Sequence, residues 1–180
     1  MTGYLRGDLK FVPLLRFASI LLLSSAIFAP FLFSQEPSVQ EILIDLSAYA
    51  FTSPEGTSGS PGAPPVNVLT LKNGQPTRLI FRNVDPARNH SFSSPLFALT
   101  ENTSVEIVDF FDRVVAIVPG KDAGLIELAP AWKARVSLTP NVRSAEDGIP
   151  LTFDLSCHRN HGTPGCHILR GMKGLITVTR

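Results

Sequence analysis

The chain has 180 residues, 16 basic and 15 acidic, for a formal net charge of +1. That length suits one domain with an extension, and the balanced charge leaves no basic stripe for a nucleic-acid partner. Thirteen glycines and 15 prolines, dispersed along the chain, exclude a low-complexity protein and suit a turn-rich β domain better than a helical one.

Arg6, Lys10 and Arg16 precede FASILLLSSAIFAPFLF, an uncharged run over 17–33. A basic flank followed by an apolar run reads as an export signal, and the run is also close to the shortest membrane span. Residues 1–34 are expected to be a signal peptide, with Ser24, Ala26 or Ser34 near the cleavage site, or an uncleaved apolar anchor helix. Residues 35–180 are expected to be the mature domain. The protein is expected in the periplasm or another extracytoplasmic space, free or anchored to the inner membrane. Without 1–34 it keeps 13 basic and 14 acidic residues and is close to neutral.

In EILIDLSAYAF, 41–51, Ile42, Ile44 and Leu46 share one face, as in a half-buried strand. SPEGTSGSPGAPP, 53–65, is a loop. VNVLTL, 66–71, alternates again, and the Asn-Gly of KNGQ, 72–75, turns the chain into TRLIFRN, 77–83. HSFSSPLF, 90–97, begins as a short strand that ends at Pro95. SVEIVDFFDRVVAIV, 104–118, reads as strand with room for a short helix, and its FFDR carries no mechanism by itself. GLIELAP (124–130), KARVSLTP (133–140), IPLTFDLSC (149–157) and KGLITVTR (173–180) complete about seven or eight short strands separated by turn signals. Such a series predicts an all-β sandwich or barrel with little helix.

Metal-ligating side chains crowd into the last loop. SCHRNHGTPGCHILRGMKGLITV, 156–178, holds both cysteines, three of the four histidines and one of the two methionines. Copper electron-transfer sites combine two imidazoles and a thiolate with a weak axial thioether. His90 before a short strand, Cys157 at a strand end, and His167 and Met172 in the next loop have that distribution.

LIFRNVD…NHSFSSP followed by FDLSC…PGCHILRGMKGLITV resembles the cupredoxins, the small blue-copper proteins. The nearest variety is exported bacterial cupredoxins whose last loop runs Cys, Pro-Gly-His, then Gly-Met-x-Gly into a final strand. ELAPAWKARVSLTP is similar to the strand pair that precedes their cysteine strand. The resemblance covers roughly residues 38–180. It implies a Greek-key β-sandwich and one type 1 copper ion held by His90, Cys157, His167 and Met172. It also implies one-electron exchange with a transient redox protein partner, by a monomer that docks through an apolar patch around the loop histidine. Ile168, Leu169, Pro164, Leu96 and Phe97 are the candidates for that patch. No substrate chemistry follows from it, so the chain is not expected to be an enzyme.

The loop departs from the family. Nine residues separate Cys157 from His167, where the family has only a few. His161, spaced Cys-x3-His, is therefore an alternative ligand, whereas His167 keeps the family's neighbours in PGCH…GMKG. In an oxidising compartment Cys157 and Cys166 also suit a disulfide, which would remove the thiolate and leave a metal-free binding module. A binuclear copper centre on both cysteines, zinc in place of copper, and a copper-handling role for a Cys/His/Met-rich loop are further readings at this level. More plainly, His90 reads as a core histidine, His158 and His161 as polar loop residues, and Met172 as a gap-filling side chain. Gly171 and Gly174 are expected to supply turn conformations. Asn89 and Asn102 open Asn-x-Ser patterns too frequent to carry meaning.

Overall fold

Alternation with period two gives most of the longer strands one buried face, β7 (Val114–Pro119) being the exception with none. In β1 (Gln40–Ser47) that face is Ile42, Ile44 and Leu46; in β4 (Thr77–Asn83) it includes Leu79 and Phe81. The computed structural model describes residues 38–58, 61–160, 162–163 and 165–180. The expected signal or anchor over 1–34, and both His161 and Pro164, lie outside the described residues.

The remaining strands are β2 (Ala50–Thr52), β3 (Val66–Lys72), β5 (His90–Phe92), β6 (Ser104–Val108), β7 (Val114–Pro119), β8 (Ile126–Leu128), β9 (Lys133–Leu138), β10 (Leu151–Ser156) and β11 (Lys173–Thr179). Eight of these eleven described strands have five residues or more, and β2, β5 and β8 have three each, against about seven or eight short strands expected. Two short helices, α1 (Pro95–Leu99) and α2 (Arg143–Glu146), and a 3₁₀ turn at Gly120–Asp122 interrupt them. Ser94 caps α1 by accepting the Leu96 N–H, and Pro95 fills its first turn, where its missing donor costs nothing. The ambiguous segment 104–118 is a hairpin. The Asp109 carboxylate accepts the N–H groups of Phe111 and Arg113, and Asp112 turns the chain at φ 62°.

Two layers form. One sheet runs β2-β1-β4-β9-β6-β7, the other β10-β11-β3, with a separate β5-β8 pair. β1 lies parallel to β4 and β3 parallel to β11; every other pairing is antiparallel. Ile44, Phe81 and Val136 from the large sheet and Leu71, Leu155 and Ile176 from the small one join a single buried cluster. Phe92 stacks on Phe81 with centroids 3.9 Å apart, which fixes β5, and therefore His90, against this core. The chain is thus the all-β sandwich that its strand pattern predicts. Among the described residues no helix is long and apolar enough to cross a membrane.

Two ladder ends bring the last loop to β5. Ser93 and Ser156 exchange backbone hydrogen bonds of 3.0 and 3.1 Å, joining β5 to β10. The β10–β11 ladder ends at Ser156 opposite Lys173, so Cys157 and Met172 follow at its mouth, linked by a 3.2 Å bond from the Cys157 N–H to the Met172 carbonyl. Gly171 adopts a positive φ of 99°, as expected of a turn glycine. Gly174 does not: it sits inside β11, where a Cβ would meet Val68 Cγ2 at 2.2 Å, so its role is close strand approach.

Candidate metal centre

The segment entering His90 is built on two buried side chains. Asn83 donates from Nδ2 to the carbonyls of Arg88 (2.8 Å) and Leu128 (3.0 Å), and its Oδ1 accepts the Asp85 N–H. Asp85 Oδ1 in turn accepts the N–H groups of Ala87 and Arg88, while its Oδ2 lies 3.2 Å from His90 Nε2. Burial opposes ionisation of Asp85, but the Ala87 N–H and the His90 ring outweigh it and hold the carboxyl below its usual range. Burial likewise keeps His90 below its ordinary value, against the pull of Asp85. An ionised carboxylate only accepts, so this contact calls for a proton on Nε2, which would leave the lone pair of a neutral ring on Nδ1. That Nδ1 is buried and has no hydrogen-bond partner.

Cys157 Sγ lies 3.3 Å from His167 Nδ1 and accepts the Ser91 N–H at 3.3 Å. The Ser91 hydroxyl is 3.5 Å from the same sulfur and accepts the His158 N–H at 3.0 Å. One ligating atom each from His90, Cys157 and His167 falls within 4.8 Å of the other two, and all three residues are buried. The two imidazole centroids are 4.9 Å apart. Burial, then the charges of His90, Arg88 and Arg159, lower the pKa of His167 to about 4. Met172 is fully buried beside them and donates its N–H to the His167 carbonyl at 2.9 Å. Both cysteines are free thiols, and Cys166, though buried, lies outside the three-residue cluster.

This donor set fits copper. Two neutral imidazoles and a cysteine sulfur are the in-plane ligands of copper electron-transfer sites. A buried imidazole nitrogen without a partner is costly, and coordination removes that cost. Asp85 and Ser91, which hold two of these ligands, carry no motif that sequence reading detects; only their neighbourhood in the fold reveals them.

The described members of the expected apolar patch do not surround the site. Leu96 and Phe97 are fully buried in the core, because α1 packs inward. Of the described members of the patch, Leu169 alone is prominently exposed, and Ile168 is half-buried. His167 instead borders a recess of about 320 Å³ lined by Ala87, Arg88, Asn89, Arg159 and Asn160. Tyr49 meets the His167 ring edge-on at 4.9 Å, with the guanidinium groups of Arg88 and Arg170 over its own ring at 5.3 and 5.0 Å. Arg159 is paired with Glu127 (2.6 Å) and Arg88 with Asp85 (3.4 Å). The rim is therefore polar and rich in arginine.

No protein-family model and no curated protein matches the sequence. Solved structures do match in shape. The McoA multicopper oxidase of the hyperthermophile Aquifex aeolicus shares 17% identity at a TM-score of 0.49, over 81% of this chain and 30% of that one. A copper-containing nitrite reductase from Thermus scotoductus shares 13% at 0.47, over 78% and 30%. A reduced auracyanin from Roseiflexus castenholzii shares 17% at 0.39, over 79% and 97%. The chain thus spans less than a third of the oxidase and of the reductase. By its strand arrangement and its His–Cys–His cluster the fold is cupredoxin-like. The expectation that the chain is not an enzyme is corrected by these matches. Multicopper oxidases and a nitrite reductase stand among the proteins of similar shape, so a non-catalytic role does not follow from the fold.

Proposed function

We propose that His90, Cys157 and His167, with Met172 as the fourth residue, would hold one copper ion, and that the protein transfers single electrons. The observation that carries this reading is the buried meeting of two imidazoles with one free cysteine sulfur. Copper bound there supplies one-electron chemistry by cycling between its two common oxidation states. The chain's own part is to hold the ligands still. Asp85 orients His90, the Ser91 N–H fixes the Cys157 sulfur, and the backbone bond to the Met172 N–H ties His167 to the axial candidate.

His167 is the ligand that borders the surface recess, so electron exchange is assigned to its ring. The partner is a transient redox protein that meets the rim of Arg88, Arg159 and Arg170. Charges of this kind speed and orient encounter more than they tighten it. The export reading of 1–34 puts this exchange outside the cytoplasm.

The test is an absorption and electron paramagnetic resonance spectrum of the purified protein with one equivalent of Cu(II). An intense visible band from the Cys157 sulfur is expected. A colourless protein that retains only Cu(I) would point to copper handling instead, and preferential retention of Zn(II) would remove the redox role.

A further inference from the structure

The contact between Asp85 and His90 goes beyond holding a ring in place. His90 is fully buried, and Asp85 is only 7% exposed. A backbone carbonyl at Nε2 would select the same tautomer, but Asp85 brings a full negative charge with it. Its Oδ1 is taken by the N–H groups of Ala87 and Arg88, so Oδ2 is the oxygen left for the imidazole. Arg88 Nη1 also approaches Oδ2, at 3.4 Å, from a half-exposed position that weakens its hold. The unpartnered Nδ1 of His90 is the second, independent observation, because buried polar atoms are ordinarily hydrogen-bonded and a bare lone pair here fits a ligand position.

We propose that Asp85 is a positioning residue of the metal centre: its buried carboxylate locks His90 in the Nε2–H tautomer and makes the ring a stronger donor, favouring Cu(II) over Cu(I). Partial transfer of the Nε2 proton's charge to the carboxylate raises the basicity of Nδ1. A more basic ligand stabilises the higher oxidation state, so Asp85 lowers the reduction potential. The second half of this inference rests on the copper reading above; the first half concerns the metal-free protein alone.

Asp85→Asn tests both halves. In the metal-free protein, nitrogen–proton correlation spectra of the imidazoles are expected to show His90 as a single Nε2–H tautomer, and Asp85→Asn is expected to populate the Nδ1–H form. An Nδ1–H tautomer in the unaltered protein, or no tautomer change in a folded Asp85→Asn variant, overturns the assignment. In the copper-loaded protein, Asp85→Asn is expected to shift the ratio of Cu(II) to Cu(I) affinity about tenfold toward Cu(I), an upward shift of about 59 mV for one electron. Arg88→Met keeps both backbone caps of Asp85 and frees Oδ2 from its second partner, so it is expected to lower the potential. General loosening of the loop would instead move both variants the same way. An unchanged potential in folded Asp85→Asn, or a raised one in Arg88→Met, defeats the tuning role. If the unaltered protein takes up no copper, the copper reading fails by itself, and the tautomer spectra still decide the role of Asp85.

Discussion

Nδ1 of His167 lies 3.3 Å from the sulfur of Cys157, although nine residues of loop separate them in sequence. The enlarged loop is therefore accommodated without losing the ligand pair. Cys157→Ser and His167→Ala are each expected to abolish the visible Cu(II) band in an absorption titration. Cys166→Ser, outside the cluster, and His161→Ala, outside the described residues, are expected to keep it. Survival of the band in His167→Ala together with its loss in His161→Ala would transfer the ligand role to His161.

Acid is expected to weaken the metal-free protein. His167 titrates at about 4 when folded against an ordinary 6.5, so between these values the unfolded chain binds the extra proton. Its contribution is complete above about pH 6.5, falls as the pH drops toward 4, and amounts to about 3 kcal/mol. His90, lowered by burial, acts in the same direction. Asp85 has the opposite chemistry but the same outcome: its depressed folded value gives stability above the ordinary carboxyl range that is lost as pH falls further. Urea midpoints measured from pH 7.5 to 4 would show a steady decline, and a flat profile across that window contradicts the burial of His167.

Ser91 is expected to tune the copper sulfur bond. Its hydroxyl accepts from the His158 N–H, which leaves its own proton free for Cys157 Sγ at 3.5 Å. A hydrogen bond to the sulfur withdraws charge and favours Cu(I). Ser91→Ala keeps the backbone N–H contact and is expected to lower the reduction potential by about 20–60 mV, the electrical equivalent of one ordinary hydrogen bond. Voltammetry of the two proteins side by side reads this directly.

The arginine rim is expected to select small redox reagents by charge. Oxidation by ferricyanide, an anion, should slow as salt rises, whereas a cationic cobalt complex should show the reverse. Arg170, exposed above the Tyr49 ring that meets His167, is the residue to invert. Arg170→Glu is expected to slow the ferricyanide reaction about tenfold at low salt and to flatten its salt dependence. Equal rates for both reagents in the unaltered protein would show that exchange takes place elsewhere.

Gly174 is expected to tolerate no side chain. Alanine there would press on Val68 Cγ2 across the parallel β3–β11 ladder. Gly174→Ala should cost about 1–3 kcal/mol in thermal unfolding, and Val68→Ala in the same background should recover part of the loss. A neutral Gly174→Ala would mean that the two strands separate freely.

Sequence alone determined the strands with clear alternation and the concentration of sulfur and imidazole in the last loop. Both are local: period-two patterning lies within one segment, and so does a cluster of ligating residue types. TRLIFRN, 77–83, is β4 to the residue for that reason. Tertiary structure decided what meets across the chain. It set His90 beside Cys157, placed Asp85 behind the ring and Ser91 against the sulfur, and buried Leu96 and Phe97 while leaving arginines around His167. These outcomes depend on the β5–β10 bridge and on the inward packing of α1, and no single stretch of residues encodes either one.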